Sequence, residues 1–136
     1  MNYTLEMVVV PVSDVDRAKA FYEQAGFHLD GDHGDGEEFR VVQLTPPGSA
    51  CSVAFGIGIS DAAPGTARGL HLVVNDIEAA HAELTGRGVP VSGVKHMTAA
   101  GFQPGADPEH ADYNSFAEFA DPDGNVWVLQ EIPSRP

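Results

Sequence analysis

The sequence predicts an α+β fold of two βαβββ modules, with curved mixed sheets forming a cup and the helices outside. Two observations predict it. Met7 to Asp14, followed by Val15 to Phe27, overlays Gly69 to Asp76, followed by Ile77 to Val89, without a gap at an offset of 62 (69 − 7). Val12/Val74, Asp14/Asp76, Ala18/Ala80, Ala20/Ala82 and Gly26/Gly88 are identical pairs, and a repeat this long defines the architecture. In both copies, helical spacing then gives way to three strand-like segments. One such unit exposes a sheet face that it cannot cover alone.

The elements follow in order. Leu5 to Val12 is Val-rich and reads as a buried strand, ended by the helix cap Ser13-Asp14. Val15, Ala18, Phe21, Tyr22 and Ala25 recur at helical spacing until Gly26 stops the helix. Strands are expected at Phe27 to Asp30, Glu38 to Thr45 and Ala50 to Gly58, with turns at Gly31 to Gly36 and Pro46 to Ser49. In the second copy Gly69 to Val74 is the strand, Asn75-Asp76 the cap, and Ile77, Ala80 and Leu84 the apolar stripe, stopped within Gly86 to Gly88. Its strands are expected at Val89 to His96, Ser115 to Ala120 and Asn125 to Ile132.

Placing Pro47-Gly48 on Asp123-Gly124 gives an offset of 76 (123 − 47), so the second copy carries an apparent net insertion of 14 (76 − 62). Met97 to Tyr113 should hold most of it as a long ordered loop or lid. Ser60 to Thr66 is turn-rich and separates module 1, about residues 1–60, from module 2, about 67–133, within a single domain of 136 residues.

Composition narrows the function. Apolar residues make up 43% of the chain, enough for a core. No run approaches the roughly 18 apolar residues of a membrane span, and no signal-peptide pattern opens the chain, so a cytoplasmic location is expected. Net charge is −13, which repels nucleic acid and anionic membranes and attracts cations. Cys51 is the only cysteine and reads as a small buried apolar side chain rather than a nucleophile.

Pro11 to Tyr22, Gly69 to Leu84 and the closing turn Phe119-Ala-Asp-Pro-Asp-Gly-Asn125 together resemble the vicinal oxygen chelate superfamily. That group includes glyoxalase I, bleomycin and fosfomycin resistance proteins and extradiol dioxygenases. The resemblance implies paired βαβββ modules and a homodimer. In metal-dependent members it further implies a divalent cation held by His, Gln or Glu from the first and last strands. The corresponding positions here are Met7, Ser52, Gly69 and Val128. None offers the carboxylate or imidazole such an ion needs, so no metal and no other cofactor is expected. A non-standard site from His71, His96 and His110 is the alternative, as is a nucleophile and base pair from Ser52 and His71.

Strand alternation makes Met7, Val9, Ser52, Ala54, Gly69, His71, Val126 and Val128 the expected cup wall. Glu6 and Glu131 fall on the opposite face by the same count, and Trp127 and Leu129 should face the helices. Phe39, Phe102 and Tyr113 either stack on a ligand at the mouth or pack at an interface. Two functions fit. One is a metal-free protein that binds and sequesters a hydrophobic or cationic small molecule such as a drug or natural product, as bleomycin resistance proteins do. The other is a glyoxalase-like or dioxygenase-like enzyme (lyase, isomerase or oxygenase), with an unusual metal site or His71 as general base.

Overall fold

A computed structural model describes residues 1–135. Its elements are β1 (Met7–Val9), α1 (Val15–Gln24), β2 (His28–Gly34), β3 (Arg40–Thr45), β4 (Ser52–Ile57), β5 (Leu70–Val74), α2 (Ile77–Gly86), β6 (Lys95–Thr98), β7 (Gly101–Pro104), β8 (Ser115–Ala120) and β9 (Val126–Glu131). They form two open mixed sheets, β1-β4-β3-β2 and β5-β9-β8-β6-β7, as the α+β reading requires. The chain divides into two compact units. The first is Met1–Ala67 with Asp121–Asn125, and the second is Arg68–Ala120 with the segment from Val126 onward.

Both helices begin as their caps dictate. The Asp14 carboxylate accepts the N–H of Arg17, and that of Asp76 accepts the N–H of Ala79, each satisfying an orphan donor of the first turn. Helix α1 ends through Gly26 at φ 101°, with the Phe27 N–H returning to the Tyr22 carbonyl. Helix α2 starts and ends at the same offset of 62 from α1 (77 − 15 and 86 − 24), as the repeat predicts.

In the first unit α1 packs on β3 and β4. Tyr22 stacks on Phe55 with centroids 5.6 Å apart, and Val42, Leu44, Val53, Val15 and Ala18 are buried with them. The turn Asp121–Asn125 belongs to this unit through a buried polar network. Asp121 accepts the Tyr22 hydroxyl at 2.7 Å and the Asn125 side-chain amide at 2.8 Å, and its other oxygen takes the N–H groups of Asp123 and Asn125. Asn125 also donates to the Pro11 carbonyl and accepts from the Ala67 N–H. An unmade partner at such a site costs about 1–3 kcal/mol, which explains why the turn needs these residue types rather than a generic Asp-Gly.

In the second unit α2 packs on β8 and β9. Phe119 lies parallel to Trp127 at 6.2 Å, and both are buried with Ala117, Leu129 and Ile77. Several boundaries differ from the sequence reading: the strand expected at Leu5 to Val12 is only Met7–Val9, with Leu5, Met7 and Val9 exposed rather than buried, and the one expected at Val89 to His96 opens at Lys95. Gly69 precedes β5 at φ 73°, a left-handed conformation that ends strand geometry. Strand β2 runs on to Gly34, with an irregularity between Leu29 and Gly31. Part of the expected loop is the strand β7, paired to β6 from Thr98↔Gly101 to Lys95↔Pro104.

The strand register also corrects the repeat ruler. Val8 pairs with Val53, and its counterpart Leu70 pairs with Trp127, so the offset between the last strands is 74 (127 − 53). The turn glycines overstate it because Gly48 lies four positions before Ser52, whereas Gly124 lies two before Val126. The net insertion is therefore 12 (74 − 62), and the first-module counterpart of Val128 is Ala54. An even error leaves every side chain on its predicted face, because alternation has period two.

Candidate functional site

Each sheet carries its helix on one face, and the opposite face presents the predicted site residues. In the first sheet the Tyr22–Phe55 stack marks the helix side. The ladders Met7↔Ser52, Val9↔Ala54, Gln43↔Ala54 and Val41↔Gly56 assign the other side. Ser52, Ala54 and Gly56 run down its middle as small residues between Met7 and Val9 on β1 and Thr45, Gln43 and Val41 on β3. Met7 and Val9 are 40% and 41% exposed at their strand, while Ser52 and Ala54 are buried.

This furrow is lined by oriented hydrogen bonds. The Thr45 hydroxyl donates to the Asp30 carboxylate and lies 2.7 Å from Ser52 Oγ, so with its one proton committed it accepts from Ser52. Ser52 is thereby held as a donor to Thr45. Gln43 Nε2 donates to Glu6 Oε2 at 3.4 Å, which brings the Glu6 carboxylate onto the open side. The sequence placed Glu6 opposite Met7, but Glu6 lies ahead of β1, where alternation does not bind it. The cations of this unit are used elsewhere. Arg40 and Lys19 converge on Asp32 on the helix side, and the Arg40 guanidinium holds that carboxyl well below the usual range. Phe39 immediately precedes β3, half exposed, with its backbone closing the β2–β3 turn on Asp35.

In the second sheet the Glu131 carboxylate accepts the Ile77 N–H at 2.8 Å and so marks the α2 side. Trp127 and Leu129 share it by alternation, as expected, and both are buried. The other side carries His71 opposite Val128 and Glu118, and Val73 opposite Gln130, Phe116 and Lys95. Phe102, opposite Met97, joins this side. Its ring meets Phe116 edge-on at 6.0 Å, and Lys95 Nζ sits 4.6 Å over it. Lys95 Nζ also lies 3.7 Å from Glu118. Val126 falls on the same side through its pairing with Ala120.

Gly69 contributes through its backbone. Its carbonyl lies 2.8 Å from His71 Nδ1 and can only accept, so Nδ1 carries a proton, and in the neutral form of this exposed ring Nε2 is the acceptor. That nitrogen can take a hydrogen bond from a ligand or a proton from a substrate. Tyr113 has its ring under the Arg135 guanidinium and its carbonyl on the Gln130 side chain, so it borders the face rather than stacking within it.

The three histidines weighed as a metal site do not converge. His71 is on the open side, His96 pairs with Ser115 on the α2 side and bonds the Gly105 carbonyl, and His110 bonds the buried Glu131. Among the described residues no group of three His, Cys, Asp or Glu side chains is arranged to hold a metal ion. The family's metal positions, with Ala54 now replacing Ser52, are Met7, Ala54, Gly69 and Val128. This donor set does not fit a divalent ion.

Several open-face residues were missed: Gln43 and Thr45 on β3, Phe116 and Glu118 on β8, and Lys95, Met97 and Val73. Period-two counting along β3 and β8, applied as it was to β1 and β9, finds the first four.

Residues 4–129 match the Glyoxalase/Bleomycin resistance protein/Dioxygenase superfamily. The chain belongs to that superfamily. Among solved structures it is similar to TnmS3, an antibiotic binding protein from Streptomyces sp. CB03234, at 34% identity and TM-score 0.74 over 96% of this chain and 97% of that one. A glyoxalase/bleomycin resistance protein from the same organism is 35% identical at TM-score 0.70, covering 94% and 100%. A superfamily member from Sphaerobacter thermophilus DSM 20745 is 29% identical at TM-score 0.72, covering 96% and 98%. No helix among the described residues is long and apolar enough to cross a membrane.

Proposed function

We propose that this superfamily member binds a small organic molecule on the open sheet faces and sequesters it unchanged, without a metal. The observation that carries the reading is the composition of the second sheet's open face. Phe102, Phe116, Val73, Val126, Val128 and Met97 supply apolar contact, and His71, Gln130 and Glu118 supply a few polar points. That mixture suits an organic ligand. The open face of the first sheet, with Met7, Val9 and the Ser52–Ala54 furrow, is proposed as an apolar binding surface of its own unit, flanked by Phe39, and Tyr113 is proposed to flank the face of the second. The likeness to an antibiotic binding protein supports the same reading. Sequestration then works by mass action, because protein present well above Kd lowers the concentration of free ligand, and bound ligand at 100 times its Kd would stabilise the folded chain by about 2.7 kcal/mol.

The test is calorimetric titration of chelator-treated protein with bleomycin and a panel of polycyclic aromatic antibiotics, followed by mass spectrometry of the recovered ligand. The expected result is saturable binding of at least one compound, unaffected by chelation, with the compound returned intact and the affinity at least tenfold weaker in His71→Ala. Turnover of the ligand, a requirement for added metal, or no binding across the panel overturns the proposal. Turnover lost in His71→Ala would instead support general-base chemistry at Nε2.

A further inference from the structure

We infer that the ligand of the second sheet's open face is an aromatic cation anchored by Glu118, and that Lys95 is the resident cation it displaces. This rests on the binding reading above and names the ligand class. A cation already occupies the platform: Lys95 Nζ lies 4.6 Å over the Phe102 ring and 3.7 Å from Glu118 Oε1, with Phe116 edge-on to Phe102 at 6.0 Å. Carboxylate and ring face thus converge on one positive charge, a combination that recognises organic cations, and Phe116 braces the Phe102 ring edge-on. The incumbent is weakly held. Its side chain is 40% exposed and that of Glu118 is 44% exposed, and solvent screens a pair this open. A lysine must also give up rotamer freedom to stay, whereas a rigid aromatic cation brings its charge and its stacking surface together.

The distribution of charge points the same way. Arg17 reaches Asp123, Lys19 and Arg40 reach Asp32, Arg87 reaches Glu83, and Arg135 lies over Tyr113. Among the described strands, Lys95 is the lysine or arginine whose register puts it on an open face. Once Lys95 swings away, an arriving cation meets the Glu118 carboxylate and the Phe102 ring.

The experiment compares proflavine, a planar cation at pH 7, with acridone, a neutral molecule of the same ring skeleton, by fluorescence titration of the full chain. Wild type is expected to bind proflavine at least tenfold more tightly than acridone. Glu118→Gln should abolish that preference while leaving acridone unchanged, and Lys95→Met should tighten proflavine several-fold. Phe116→Leu should weaken both. Glu23→Gln, the same change of net charge at an exposed position of α1, should alter neither and so controls for nonspecific attraction. Circular dichroism checks that each variant folds. Equal binding of both dyes, or an unchanged preference in Glu118→Gln, overturns the cation inference while the binding reading stands. Failure of proflavine to bind wild type also overturns it, and the binding reading is then decided by its own ligand panel.

Discussion

At the scale of single residues, the buried groups separate structural chemistry from binding chemistry. Glu131 is 1% exposed and does two jobs, accepting the Ile77 N–H at the start of α2 and His110 Nδ1 at 2.9 Å. A cavity of about 330 Å³ beside it is lined by Asn75, Asp76, Glu78 and His110, so every ionised group facing the imidazole is acidic. The hydrogen bond and charge of Glu131 raise the His110 pKa above its usual 6.5, with smaller contributions from Glu78 and Asp76. A raised folded-state value means that this stabilisation is fully present below the unfolded pKa and is lost as pH rises through the folded one. In Glu131→Gln the His110 midpoint, followed by NMR, should fall toward its usual value. The stability gap between wild type and variant should be widest in acid and narrow as His110 loses its proton. A midpoint that does not move would show that Glu131 does not control this histidine.

At the scale of elements, legibility followed periodicity. Both helices and the faces of β1, β4, β5 and β9 were readable because cap residues and alternation are local signals. The error of two in the last-strand offset arose because turns of different length were aligned by their glycines, and only the hydrogen-bonded register reveals it. Strand β7 was hidden for a different reason: Gly101 and Pro104 bound a short segment that composition marks as loop. Past it the chain is pinned by polar side chains rather than apolar burial. Asp107 accepts the N–H groups of Glu109 and Ala111 and the Asn114 amide, and Asn114 also bonds both backbone groups of Met97. The sequence shows an Asp and an Asn but not that they meet. Asn114→Ala should therefore raise hydrogen exchange at Met97 and across residues 107–114 at least tenfold, with protection in β8 and β9 retained. Equal loss across the unit would make this loop part of the cooperative core instead of a locally fastened segment.

At the scale of the whole molecule, a net charge of −13 acts over distance, whereas Glu118 acts at contact. Salt separates them, because the Debye length falls from about 30 Å at 0.01 M to about 8 Å at 0.15 M ionic strength. Self-repulsion among 20 acidic residues opposes compaction, so the melting temperature should rise over that range as repulsion is screened. A cationic ligand should lose affinity over the same range, as the long-range attraction disappears. Its remaining preference over a neutral molecule of equal shape should persist at about 0.5 M salt, because a flat cation stacked on Phe102 shields its contact with Glu118 from the solvent that screens the open Lys95 pair. Glu118→Gln should remove that remainder while leaving the salt slope nearly intact, since it changes one charge in thirteen. A preference that vanishes completely with salt in wild type would place recognition in the overall field and remove Glu118 from it.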